Sequence, residues 1–245
     1  MTRNLAGIVP IAGHKSDIDL PWHHVLMPYD RNKTLIQHAV YNCAMVGCDS
    51  VWIVCDDSHQ PLVRSIVGEK IEDPVYKHRA HARHASDHKR WIPVFYCSTT
   101  TRDQQRRDNI SWSAIYGSLL ANKTLGGLSK HTAPDRFFVF WPYCKLDSAV
   151  LRSVRRQVEK DSIIFTEKGL SVLSDDFLPI VCGIDTIYQL KQHCYDLQVS
   201  MSNYKEFNSL QLSTVFSKLI NFDYCELEFN YKKVSNWKEY CNFFK

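Results

Sequence analysis

The sequence predicts an α/β fold: a three-layer sandwich with a mostly parallel central sheet and a C-terminal cap. Within residues 1–160 a strand-length apolar run is followed by a helical pattern four times, which is typical of a parallel sheet. Residues 161–245 have a different rhythm, with short strands and helices in no fixed alternation. Since no Gly/Ser-rich linker separates the two stretches, we expect one domain spanning residues 1–245.

The first four predicted strands are short and apolar, and each predicted helix has apolar residues at helical spacing. The strands are predicted at 5–12, 50–55, 91–97 and 136–141, and the helices at 33–46, 59–67, 111–125 and about 147–160, with Asp147 as a helix cap. Residues 69–90 lose the apolar periodicity and are strongly basic. They predict an exposed excursion.

The last third predicts a mixture of short elements. Residues 162–184 predict two or three strands around Gly169, residues 222–230 alternate as a strand does, and helices are expected near 185–196, 208–220 and 235–244.

Composition narrows the class of protein. The chain has 245 residues, 44% apolar content and a formal charge of +4. It shows neither a charged-then-apolar leader nor an apolar run of about 18 residues, so we expect no membrane segment and a cytoplasmic location. Its nine cysteines are an odd number without a C-x-x-C pair, which favours reduced thiols over a disulfide framework or a zinc ribbon.

Polar groups collect in the loops that follow the predicted strands, at residues 12–24, 56–59, 98–112 and 142–147. Ligands of open parallel sheets bind beyond the carboxyl ends of the strands. In the first of these loops Gly13 lets the backbone approach a ligand, while Lys15, His23 and His24 offer positive charge to phosphate oxygens. The alternative is a purely structural turn, which is common after a first strand.

Four segments resemble motifs of the sugar-phosphate nucleotidyltransferases and their glycosyltransferase-A-like relatives, the nucleotide-diphospho-sugar transferases. The segments stand where that family has L-A-A-G, x-L-x-P, K-P-L-I and a helix end: residues 10–13 (PIAG), 25–28 (VLMP), 33–36 (KTLI) and 46–49 (VGCD). Fainter likenesses follow at residues 113–120, 206–220 and 233–244. The order and spacing of the motifs carry the resemblance, since each motif alone has low specificity.

The resemblance implies a nucleotidyltransferase-like protein that binds a nucleoside triphosphate or a nucleotide sugar, with a sugar phosphate as a further partner and Mg²⁺ as the implied cofactor. Residues 1–160 would be the nucleotide-binding half and residues 161–245 the sugar or acceptor half. Phosphate contacts fall on Ala12, Gly13, His14 and Lys15, base or sugar contacts on Ser111, Trp112 and Ser113, and catalytic roles on Lys15, His24 and Asp147.

The chain also departs from the family pattern. The phosphate loop lacks the second glycine and the arginine of G-x-G-T-R, and the two metal-binding aspartates of the family are missing. The turn that should carry the first reads WPYCKLD (residues 141–147), and the second falls on Lys233. Three alternatives stay open: a metal site relocated to Asp17, Asp19, Asp56 or Asp57, a metal-independent transferase, or a relative that binds without turnover. Whether the chain is an enzyme is therefore open at this stage.

Other functions have weaker support. A row of histidines (His78, His81, His84 and His88) could bind zinc on a helix, but basic residues surround it. The same segment with Arg102, Arg106 and Arg107, and with Trp91, Tyr96 and Trp112 for stacking, is the basis of a nucleic-acid-binding alternative. No G-x-S-x-G elbow and no P-loop occurs in the sequence. The metal ligands and the oligomeric state are left unassigned.

Overall fold

The structure is a computed structural model that describes residues 4–79, 90–158, 162–201, 203–219, 222–228 and 231–243. Its strands are β1 (Leu5–Pro10), β2 (Ser50–Cys55), β3 (Lys70–Glu72), β4 (Trp91–Ser98), β5 (Arg136–Val139), β6 (Cys144–Lys145), β7 (Ile163–Thr166), β8 (Ile180–Gly183), β9 (Asp223–Glu226) and β10 (Lys232–Lys233). Its α-helices are α1 (Leu35–Val46), α2 (Gln60–Val67), α3 (Pro74–Arg79), α4 (Thr101–Arg106), α5 (Ile110–Leu128), α6 (Ser148–Ser153), α7 (Arg155–Val158), α8 (Ile184–Ser200), α9 (Tyr204–Asn208), α10 (Leu212–Phe216) and α11 (Trp237–Phe243).

An eight-stranded sheet with the order β3-β4-β2-β1-β5-β8-β7-β9 forms the centre of the molecule. Strands β4, β2, β1 and β5 are parallel neighbours, and β7 pairs with β9 in parallel. Strands β3 and β8 run antiparallel to their neighbours. The mostly parallel sheet predicted from the sequence is therefore confirmed.

Helices cover both faces of the sheet, which confirms the three layers. Every residue of β1 and β2 is buried, as expected for strands covered on both sides. Side chains alternate between faces along a strand, so the adjacent residues Gly7 and Ile8 face opposite sides. A Cβ on Gly7 would lie 2.8 Å from Cβ of Cys43 in α1, whereas Ile8 lies beside Gly117 of α5.

Local signals explain where the principal helices begin. Thr34 and Gln37 form a capping box at the start of α1, in which each side chain bonds the backbone of the other residue. Asn109 caps α5 by accepting a hydrogen bond from the Ser111 amide. Asp147 caps α6 in the same way through the Ala149 amide, as the sequence predicts.

The structure also contains elements that the sequence analysis missed. Part of the basic excursion forms β3, which pairs antiparallel with the edge of β4, and α3. The polar stretch before α5 contains α4, and two residues each form β6 and β10. Within the range 208–220, where one helix was expected, the described residues contain the short helix α10, and α9 precedes it and ends at Asn208. The row from His81 to His88 lies outside the described residues.

The C-terminal cap consists of β10 and α11 and contacts the loop that follows β1. Tyr240 donates to the Pro28 carbonyl through its hydroxyl, and Ser16 donates to the Ser235 carbonyl. Strands β7, β8 and β9 are not part of the cap, because they extend the central sheet.

Candidate functional site

The turn after β1 lies against the start of α5 at the carboxyl edge, the edge at which β1, β2, β4 and β5 end. Gly13 has φ +73° and a Cβ at this position would lie 2.5 Å from the Asn109 amide nitrogen, so only glycine fits. The amides of Ile11 and Ala12 both donate to the Val54 carbonyl, at 2.9 and 3.0 Å. The close backbone approach expected of Gly13 therefore exists, but its partner is α5, and the Ala12 amide is occupied by the sheet.

The segment Ser111 to Ser113 is packed into the interior at the start of α5. Ser113 donates to the Ala12 carbonyl at 2.8 Å and thereby fixes the turn after β1. Trp112 is buried, with the Arg107 guanidinium 4.6 Å from its ring centroid. Ser111 is fully buried as well, and its Oγ has no hydrogen-bond partner among the described residues. Base or sugar contact by these three residues stays a prediction.

Four histidines from the loops after β1 and β2 lie together at the carboxyl edge; we call His14, His23, His24 and His59 the histidine cluster. The rings of His23 and His24 stack with centroids 4.6 Å apart, and His14 lies 5.0 Å from His24. His59 meets His23 edge-on at 5.1 Å. The structure thus brings together His14 and His24, which the sequence predicted separately as a phosphate contact and a proton carrier.

Burial keeps three members of the histidine cluster, His14, His23 and His24, uncharged at neutral pH. Burial, followed by the charges of neighbouring histidines, lowers the pKa of His23 to about 3 and that of His24 to about 4. The pKa of His14 is also held well below its usual value, first by burial and then by the neighbouring charges of His24, His23 and Lys233. These imidazoles can therefore donate and accept hydrogen bonds, but His24 does not supply the positive charge that the sequence analysis considered.

Two aromatic residues that the sequence analysis did not single out, Tyr143 and Phe177, pack against His14. Tyr143, from the segment after β5, stacks on His14 with centroids 3.8 Å apart, and Phe177, which precedes β8, meets the same ring edge-on at 5.3 Å. Both are buried. The only sequence signal was the position of Tyr143 in the turn where the family has its metal-binding aspartate.

Lys233 places an ammonium group beside these aromatic residues. Its Nζ donates to the Asp175 carbonyl at 2.7 Å and lies 5.1 Å from the centroid of Phe177. Its charge is close enough to His14 to contribute to the lowered pKa of that residue. By contrast, the Lys15 side chain is exposed, and of the five cavities that we compared along the described chain none is lined by Gly13 or Lys15.

An acidic cavity of about 440 Å³ lies beside the histidine cluster. Its lining residues come from the loop after β2 and the segment before α5: Asp56, Asp57, Ser58, Gln104 and Asp108. Asp56 Oδ2 lies 3.9 Å from Nδ1 of His59, and burial followed by the charge of Asp108 raises the pKa of the Asp56 carboxyl. Carboxylates in such a cavity can accept hydrogen bonds from the hydroxyl groups of a sugar.

Asp147 lies in a different cavity from the histidine cluster. This cavity, of about 490 Å³, is lined by Tyr29, Asp30, Lys33, His38, Lys145, Asp147, Ser148, Val150 and Glu228. The structure therefore does not bring Asp147 together with His14 and His24. A catalytic role for Asp147 stays a prediction beside its observed role as a helix cap.

The carboxylates that the resemblance expects around a metal ion are missing from their family positions. Across the described ranges, no three histidine, cysteine, aspartate or glutamate side chains are grouped so that they could hold a metal. The segment from Trp141 to Leu146 offers no carboxylate, and Lys233 stands where the resemblance expects the second aspartate. Of the four aspartates named as relocated ligands, Asp17 and Asp19 have exposed side chains, whereas Asp56 and Asp57 line the acidic cavity.

Trp112 is unavailable to stack on a nucleic-acid base because it is buried. Arg107, the nearest cation, forms an ion pair with Asp103 at 2.9 Å. Trp91 is 45% exposed and has the Lys70 ammonium 4.5 Å from its ring centroid. Within the part of the chain that the structure describes, no helix is both long and apolar enough to cross a membrane.

The fold of the chain is that of known nucleotidyltransferases. A candidate glucose-1-phosphate thymidylyltransferase from Bacillus anthracis, in complex with a sucrose, superposes with a TM-score of 0.61 at 11% identity, over 98% of this chain and 93% of that one. A 4-diphosphocytidyl-2C-methyl-D-erythritol synthase from Anaerococcus prevotii has a TM-score of 0.56 at 10% identity, over 99% and 95%.

Rv0371c from Mycobacterium tuberculosis is similar to the same extent, with a TM-score of 0.56 at 10% identity over 99% of this chain and 98% of that one. A manganese complex of the same protein has a TM-score of 0.52 at 12% identity, over 99% and 98%. No protein-family model and no curated protein sequence matches the chain. The nucleotide-diphospho-sugar transferase-like fold that the motifs indicated is thus confirmed, and sequence identities this low establish the fold alone.

Proposed function

We propose that this chain binds a nucleoside triphosphate or a nucleotide sugar at the carboxyl edge, between the histidine cluster and the acidic cavity. The observation that carries the proposal is a pair of buried ring nitrogens, Nε2 of His14 and Nε2 of His24, that have no hydrogen-bond partner among the described residues. Buried polar atoms almost always have a partner. Two such atoms at the ligand-binding edge of this fold favour a bound ligand as the missing partner.

Different parts of the ligand would lie in two different environments of this site. Lys233 and the neutral imidazoles suit phosphate oxygens, since an ammonium and an N–H group both donate hydrogen bonds. The acidic cavity suits sugar or ribose hydroxyls, and phosphates would avoid it because its carboxylates repel them. Phosphate contact by Gly13 and Lys15 is part of this proposal, since both lie on the loop that carries His14.

Transfer of a nucleotidyl group to a sugar phosphate is the reaction that the fold favours. An oxygen of the sugar phosphate would attack the α-phosphorus, and pyrophosphate would leave as the bond to the β-phosphate breaks. His24 could carry a proton only as the neutral base, because its pKa lies at about 4. Mg²⁺, which the resemblance implies, would neutralise charge on the triphosphate. Since no three possible ligands are grouped among the described residues, the triphosphate itself would have to supply most of its ligands.

Binding without turnover is the second candidate, and the poor fit to a metal favours it. Both candidates predict nucleotide binding, and only the first predicts release of pyrophosphate. The narrower glycosyltransferase-A assignment and nucleic-acid binding are further hypotheses without an observation at the site that supports them.

A thermal-shift panel tests the binding. We expect at least one of ATP, CTP, GTP, UTP, dTTP or their nucleotide sugars to raise the melting temperature, since a ligand at a hundred times its Kd stabilises by about 2.7 kcal/mol. His14→Gln should reduce that shift, whereas His131→Gln, which changes an exposed histidine, should leave it intact. A panel without any shift, or equal shifts for both variants, would refute the proposed site.

A pyrophosphate-release assay then separates the two candidates. The protein is incubated with the best nucleoside triphosphate, a panel of sugar 1-phosphates and Mg²⁺. Pyrophosphate that depends on the sugar phosphate would establish the transferase. A nucleotide that binds without release would establish the non-catalytic alternative.

A further inference from the structure

The small sheet of β6 and β10 sets the direction of Lys233. In this antiparallel pair Lys233 is opposite Cys144, and Lys232 is opposite Lys145. Neighbouring residues of a strand point to opposite faces, so Lys232 and Lys233 point apart. Lys233 reaches Asp175 and Phe177, whereas the Nζ of Lys232 donates to the Asn242 carbonyl at 3.0 Å.

The charge of Lys233 is not balanced by a carboxylate. Among the residues that the structure describes, no aspartate or glutamate oxygen lies within 4.0 Å of its Nζ. Its one hydrogen bond goes to a neutral carbonyl, which leaves two of the three ammonium protons for another acceptor. An anion beside this half-buried ammonium would accept charge-assisted hydrogen bonds from it.

The carboxylates of the segment that Lys233 contacts are engaged elsewhere. Asp175 accepts from the Ser213 amide at 2.8 Å, and Asp176 accepts from the Ser174 hydroxyl at 2.9 Å. A divalent cation prefers several free oxygen ligands, and an ammonium in the same place would repel it. The electrostatics at Lys233 therefore favour an anion and disfavour a metal ion.

We infer that Lys233 takes the place of a protein-held divalent cation, and that its ammonium binds the phosphate groups of the ligand without a metal. The inference rests on the proposed function, since it concerns the same ligand. It makes Lys233 a binding residue, and of the three alternatives that the sequence left open it excludes the relocated metal site while leaving the metal-independent transferase and the relative that binds without turnover.

Calorimetric titration with inorganic pyrophosphate and with the best nucleoside triphosphate tests the inference, each in excess EDTA and in excess Mg²⁺. We expect the wild-type protein to bind both probes in EDTA. Lys233→Met should weaken binding about 10- to 100-fold, as for a lost charge-assisted hydrogen bond, and Lys233→Arg should retain most of the affinity. Lys232→Met is the matched control, because it removes the same charge from the opposite face of the same strand, and it should change affinity little.

The outcomes separate this inference from the proposed function. Binding that requires Mg²⁺ and is unchanged by Lys233→Met would overturn the inference and leave the proposed function standing. Equal losses in Lys232→Met and Lys233→Met would also overturn it, since the effect would then be one of net charge. If neither probe bound under either condition, the proposed function would fall and the inference with it. Melting temperatures measured without ligand identify any variant that is misfolded.

Discussion

At the scale of single residues, the molecule keeps several ionisable groups uncharged by burying them together. His23 and His24 have pKa values of about 3 and about 4, whereas an unfolded chain would titrate them near 6.5. At pH values between the folded and the unfolded pKa, the unfolded state therefore binds more protons than the folded state. The free energy of unfolding is therefore highest above pH 6.5 and decreases as the pH falls from 6.5 toward 4.

We therefore predict that the free energy of unfolding decreases between pH 7 and pH 5. The loss should be on the order of 2 kcal/mol for one such histidine, as follows from the linkage relation. Urea denaturation at both pH values measures it, and His24→Gln should reduce the pH dependence because it removes one titrating group. A free energy of unfolding that stayed constant over this range would show that the histidines are not buried as a neutral group.

Gly13 has a left-handed backbone and also lies in close contact with Asn109. Comparing its substitution with that of a second glycine separates the cost of the backbone conformation from the cost of the contact. Gly13→Ala should cost on the order of 3 kcal/mol, because the methyl group would overlap the Asn109 backbone in addition to straining φ. Gly169 has φ +82° and no atom lies within 4 Å of where its methyl group would be, so Gly169→Ala should cost only about 1–2 kcal/mol. Chemical denaturation compares the two. Equal costs would mean that the turn after β1 can move away from α5.

At the scale of elements, α5 connects the core to the site. Its glycine at 117 lies against the sheet, where a Cβ would be 2.5 Å from Cγ2 of Val54. Its first turn carries Ser113, which holds the Ala12 carbonyl. A shift of α5 away from the sheet would therefore also shift the turn that carries His14.

Two alanine substitutions in α5 test this connection. Gly117→Ala should destabilise the protein by about 1–3 kcal/mol through overpacking, and it should weaken ligand binding if the helix moves. Gly127→Ala lies in the same helix with open space around it, and it should be neutral or stabilise by up to about 1 kcal/mol through helix propensity. Thermal or urea unfolding of the pair gives the difference. A Gly117→Ala variant as stable as Gly127→Ala would contradict the close packing of α5 on β2.

At the scale of the whole molecule, the cysteines report on the integrity of the core. Eight of the nine free thiols are buried and one, Cys241 on α11, is exposed. Burial raises the pKa of the Cys55 and Cys97 thiols to about 12, so these thiols are both unreactive and shielded. The reduced, buried thiols expected from the sequence are therefore found at all positions but one.

We predict that a maleimide labels one site quickly in the folded protein and the other eight only on unfolding. Mass spectrometry counts the labels over time, and Cys241→Ser should remove the fast site. Several fast sites in the folded wild-type protein would show that the core opens more readily than its packing indicates.

The sequence by itself determined the α/β class, the order of the main strands and helices, and the helix cap at Asp147. These features depend on local apolar patterns and on a side chain within three residues of the backbone it bonds, so they can be identified without tertiary contacts. It also placed His14, His24 and Gly13 on the loop that follows β1.

Only the tertiary structure decided which of these residues lie together. Tyr143 and Phe177 meet His14 across more than a hundred residues of sequence, and Lys233 joins them through a strand of two residues, too short to show a period. The same structure separates Asp147 into another cavity and buries Trp112. Burial and long-range contacts set the charge state of the histidines and the partner of the lysine, and no local pattern encodes either.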